Sequence, residues 1–69
     1  MTTMMRHAIE QGYADGTRQA HVYSPTSSMT TTNMAKKACH VMGCYYGKQI
    51  KAYVDAYCDA IIAEWKRMI

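Results

Sequence analysis

The sequence predicts an all-α fold: a helical hairpin or a small three-helix domain with a Ser/Thr-rich loop, possible as a dimer, in one domain over residues 1–69. Three observations predict it. In the second half, Met42, Tyr46, Ile50, Tyr53, Tyr57, Ile61, Trp65 and Met68 advance by steps of 4, 4, 3, 4, 4, 4 and 3, the period of one helical face. In the first half, Met5, Ile9 and Tyr13 recur every fourth residue. Between them, Ser24-Pro25-Thr26-Ser27-Ser28-Met29-Thr30-Thr31-Thr32 has the composition of a loop.

The first helix is expected over about residues 4–21. Ala8, Gly12 and Gly16 form a ridge beside its apolar stripe. Each glycine costs a helix about 1 kcal/mol relative to Ala, so the C-terminal half is the weak half. In the loop over 24–32, Pro25 biases Ser24 away from helical geometry, and the hydroxyls compete for local backbone bonds. Thr32 or Asn33 suits the N-cap of the next element. That element, over about 34–68, has Val54, Cys58 and Ile62 widening its stripe. An unbroken helix of that length would span about 52 Å, too long for so small a globule. Two outcomes stay open. The helix breaks near 43–47, or it runs through and its far end packs on another molecule.

The core has unusual material. The chain holds no Leu and no Phe; five Ile and three Val are supplemented by nine Ala, seven Met, six Tyr and one Trp. A chain of this length buries only about 60% of its unfolded surface, and such a core rarely supplies more than roughly 3–5 kcal/mol. A homodimer or a partner surface is the expected supplement. Three cysteines leave at least one thiol unpaired, and no N-terminal stretch has the pattern of a secretion signal. The longest apolar run is Ala60-Ile61-Ile62-Ala63, too short to span a membrane. The expected setting is the cytoplasm, without membrane contact.

Net charge is +3. Lys36, Lys37, Lys48 and Lys51 occupy a window of 16 residues that contains no acid. On a continuous helix Lys37, His40, Cys44, Lys48 and Lys51, spaced 3, 4, 4 and 3, share one face, with Lys36 beside it and Tyr45 at its border. Lys36, Lys37, His40, Tyr45, Lys48 and Lys51 are therefore the candidate contacts for a polyanion or an acidic partner. A solvated helix face has the same composition. The window lacks Arg, the residue behind most base-specific readout, which argues against sequence-specific DNA recognition.

Gly12 and Gly16, and Gly43 and Gly47, are pairs of small residues four apart, expected to mark close helix packing, with Ala52, Ala56 and Ala60 as a further small ridge. Tyr13-Ala14-Asp15-Gly16, Tyr53-Val54-Asp55-Ala56 and Tyr57-Cys58-Asp59-Ala60 repeat a Tyr-x-Asp-small unit, read as core tyrosines with a wet acidic flank and a Lys51–Asp55 pair. Cys39, His40 and Cys44, with His7, His21 and Cys58, lack the close ligand pairs of a zinc module, so no metal or other cofactor is expected. Cys44 and His40 also lack an orienting third group, and no catalytic residue is assigned.

Gly12-Tyr13-Ala14-Asp15-Gly16, a Pro-containing loop, and Gly43-Cys44-Tyr45-Tyr46-Gly47 together resemble the arrangement in small bacterial and phage proteins related to ribosome modulation factor. That resemblance implies a basic, largely two-helix protein acting on ribosomal RNA. The chain departs from the family in lacking its Asn-Pro-Tyr-like turn and the Trp of its second motif, and in its longer C-terminal helix.

The expected function is a non-enzymatic interaction protein, a regulator or inhibitor of the kind phages encode, that occupies a surface of a host protein or nucleic-acid machine. The alternative is a basic RNA-, DNA- or ribosome-binding module using the lysine face.

Overall fold

The computed structural model describes residues 3–23, 25, 30–42 and 47–68. Three helices follow in order, α1 Thr3–Gln19, α2 Thr31–Met42 and α3 Lys48–Met68, and no strand occurs among the described residues. The second half of the chain is therefore two helices. Gly47, immediately before α3, has φ +52°, a left-handed conformation that glycine enters without steric cost. Its carbonyl accepts from the Ile50 and Lys51 amides at 3.1 and 3.4 Å and closes the first turn of α3.

The other helix ends differ from expectation for local reasons. Helix α2 begins before Thr32 because Thr30 is the cap: its Oγ1 accepts from the Asn33 amide at 3.2 Å, and its carbonyl accepts from Met34 at 3.0 Å. Helix α1 ends at Gln19, and the amides of Val22 and Tyr23 then bond the Gln19 carbonyl, both at 2.9 Å. The carbonyls left over at this end are met from α3. Trp65 Nε1 donates to Ala20 O at 3.1 Å and to Tyr23 O at 3.0 Å.

Helices α1 and α3 run parallel and lie very close. A Cβ added at Gly12 would sit 2.5 Å from the Tyr53 carbonyl oxygen and 3.2 Å from Ala56 Cβ. One added at Gly16 would strike the Tyr57 carbonyl oxygen and lie 3.0 Å from Ala60 Cβ. The buried face of α1 is thus Ala8, Gly12, Asp15 and Gly16, while Tyr13 of the apolar stripe is 54% exposed. Small residues face inward because the crossing leaves no depth for large ones. Gly47 takes no part in helix packing: a Cβ there would meet open space. The expected packing role of Gly43 lies outside the described residues.

Tyr53, Tyr57 and Ile61 of α3 are the largest fully buried side chains. Ala8 of α1 and Ala20, just past its end, cover them on one side, and Met34, Ala35 and Cys39 cover them from α2. Both α1 and α2 pack on α3, with little packing between α1 and α2. The body measures 36 × 20 × 14 Å. Among the described residues, no helix is long and apolar enough to cross a membrane.

Candidate binding cleft

The spread of α1 and α2 leaves a cleft of about 350 Å³ above α3. Gln11, Asp15, Arg18 and Gln19 form the α1 wall, with Tyr23 at the turn that follows. Met34, Lys37 and Ala38 form the α2 wall, and Tyr57 of α3 closes the floor.

Asp15 organises the α1 side. It is 4% exposed, and three donors meet it: Gln11 Nε2 at 3.0 Å and Arg18 Nη2 at 2.8 Å on Oδ1, and the Tyr53 hydroxyl at 2.5 Å on Oδ2. Gln11 and Arg18 stand four and three residues from Asp15 on the same helix, positions that share its face. Tyr53 reaches Asp15 from α3, because the Gly12 contact brings the two helices together at that level. A buried carboxylate requires this degree of satisfaction. Burial foremost, then the bond to Asp15, pushes the Tyr53 phenol far above its usual range.

One turn on, Tyr57 is only 1% exposed and its hydroxyl makes no hydrogen bond among the described residues. No fully buried polar side-chain atom among the described residues lacks a partner, so this hydroxyl reaches the cleft surface. Burial first, then Tyr23 and Asp15, push its phenol up to about 12. At neutral pH it is a protonated hydrogen-bond donor.

The lysine window is not one helical face. Lys36 and Lys37 are on α2, which ends at Met42, and Lys48 and Lys51 are on α3, which begins at Lys48. Lys51 Nζ is 2.8 Å from Asp55 Oδ2, and the bond to that carboxylate raises its pKa. Lys36, Lys37 and Lys48 are exposed and hold no ion pair among the described residues. His40 has its backbone in α2, while Gly43, Cys44 and Tyr45 lie outside the described residues, so the Tyr45 expectation and the His40–Cys44 pairing lie outside them too.

Cys39 is buried and Cys58 half-buried, and neither is in a disulfide. His21 Nε2 is 3.6 Å from Glu64 Oε1. Among the described residues no group of three or more His, Cys, Asp or Glu side chains could hold a metal ion.

No protein-family model, no curated protein and no solved structure matches the chain, so the resemblance carried by 12–16 and 43–47 stands on those motifs alone. The sequence reading missed the cleft. Asp15 looked like one more wet acid of the Tyr-x-Asp unit, as exposed Asp55 and Asp59 are. The available signal was its position between Gly12 and Gly16, the residues that must be buried if helices cross there.

Proposed function

We propose that this chain is a non-enzymatic interaction protein, a small regulator or inhibitor that docks on an acidic surface of a larger protein machine. The observation that supports this reading is where the uncompensated charge lies. Arg18, Lys51 and Arg67 are neutralised by Asp15, Asp55 and Glu64. Arg6 and Lys66 are matched in number by Glu10 and Asp59. Lys36, Lys37 and Lys48 are exposed and hold no ion pair among the described residues, as is also true of Arg6 and Lys66, and the stretch 36–48 contains no acid to offset its three lysines. Like charges kept without local acids favour an acidic partner and suppress basic ones. Three such lysines suit a protein surface better than nucleic acid, where affinity grows with the number of phosphates neutralised.

Affinity capture with mass spectrometry, with and without nuclease, tests this. The expected result is a defined protein complex that survives nuclease and is weakened when Lys36, Lys37 and Lys48 are all changed to Glu. A complex lost on nuclease treatment would instead support direct RNA or DNA binding.

A further inference from the structure

We infer that the cleft between α1 and α2 is a receptor site for an organic carboxylate, a small acid with an apolar body, whose charged end is held by the Tyr57 hydroxyl and the Lys37 ammonium. The geometry makes Tyr57 the decisive group. Tyr53 and Tyr57 lie one turn apart at similar depth, yet Tyr53 has its hydroxyl bonded to Asp15 and Tyr57 has none of its own. A hydroxyl with so little exposure and no partner among the described residues weakens the empty fold, and an acceptor bound in the cleft it reaches would relieve that. Functional positions are where such local inconsistencies are expected.

The charge of the cleft selects the acceptor. Asp15 is already satisfied by Gln11, Arg18 and Tyr53, and the partner of Arg18 is that same Asp15. Lys37 alone on these walls is an unneutralised cation among the described residues, so the cleft carries an excess of one positive charge. That matches a monoanion. A phosphate dianion would leave charge unbalanced and would face the Asp15 carboxylate across the same space. A carboxylate accepts from both Tyr57 and Lys37, and charge-assisted bonds of this kind are the strong ones. Burial keeps the phenol protonated, with its pKa near 12, so it donates throughout the range in which a carboxylic acid is ionised. Met34, Ala38 and the Tyr57 ring supply apolar surface. A volume of about 350 Å³ lies at the small end of the ~300–1,000 Å³ typical of small-molecule sites.

Titration of the full chain with sodium phenylacetate, followed by backbone amide shifts in two-dimensional NMR, tests the inference. Saturable shifts are expected around Gln11, Arg18, Lys37 and Tyr57. Phenylacetamide, the neutral isostere, should bind about tenfold more weakly or worse. Tyr57→Phe should fold normally and lose about tenfold or more in phenylacetate affinity, and Lys37→Gln should lose a similar factor. Tyr57→Phe leaves the lysine surface intact, so its failure to weaken the acid would sink the carboxylate site and not the docking reading above. Equal binding of acid and amide, absence of saturable shifts, or tighter binding of inorganic phosphate at the same amides would each overturn the inference. A short peptide ending in a free Phe carboxylate identifies the source of the acid. Tighter binding than phenylacetate assigns the site to a protein C-terminus, and weaker binding assigns it to a free acid.

Discussion

Two tyrosines on one helix show how differently the same residue can be used. Tyr53 donates to a buried carboxylate that has two other donors, whereas Tyr57 donates to no group among the described residues. Tyr53→Phe therefore deletes a bond to a buried charge, worth about 1.5–3 kcal/mol. Chemical denaturation should show that loss, while Tyr57→Phe should fall within about 0.5 kcal/mol of the parent or above it. Equal losses in the two variants would contradict this division of roles. Both phenols also bind their protons more tightly when folded. A pKa raised on folding contributes stability that is complete below the unfolded value near 10 and is lost as pH rises through the folded value, about 12 for Tyr57. Unfolding midpoints should accordingly be flat up to about pH 9 and fall steeply between pH 10 and 12. Ultraviolet titration should show the two core phenols ionising only as the helical circular dichroism is lost.

At the scale of the element, two kinds of glycine separate cleanly. Gly12 lies against a backbone carbonyl that cannot move without displacing α3, so Gly12→Ala is overpacked by about 1–3 kcal/mol. The gain in helix propensity, about 1 kcal/mol, offsets only part of this. Gly47 meets open space and has only its left-handed φ to protect, so Gly47→Ala costs about 1–2 kcal/mol through backbone strain alone. Gly47→Asn should recover part of that loss, because Asn tolerates this conformation; Gly12→Asn should be worse than Gly12→Ala. Thermal melts of the four variants check the pattern, and recovery at Gly12 with Asn would refute the close crossing. The small-residue ridges and the Tyr53–Tyr57–Ile61 stripe were legible in the sequence, since both are periodicities within one helix. The Asp15–Tyr53 bond was not legible, because the partner is 38 residues away; only the burial of Asp15 was signalled, by the glycines that flank it. The lysine face was misread for the opposite reason: spacing was carried through 43–47 as though the helix continued, and α2 ends at Met42.

For the whole molecule, the helix break changes what its charge can do. A continuous face would have offered four lysines to a polyanion, but Lys51 is committed to Asp55 and the remaining three are divided between α2 and α3. Each phosphate contact contributes about −0.9 to the slope of log affinity against log salt for duplex DNA. Three contacts limit the slope to about −2.7, and engagement from only one helix would limit it to roughly −1.8. So few contacts give little electrostatic affinity at physiological ionic strength, which is why we propose an acidic protein surface as the partner. A fluorescence anisotropy titration of labelled duplex across salt concentrations measures the slope directly. A slope steeper than about −3 would require cations beyond Lys36, Lys37 and Lys48, such as Arg6 or Lys66, and would move the chain to the nucleic-acid-binding class. A slope within the limit, unchanged by Lys51→Gln and reduced by about one unit on Lys37→Gln, would tie the residual attraction to the uncompensated lysines and leave Lys51 to its pair with Asp55.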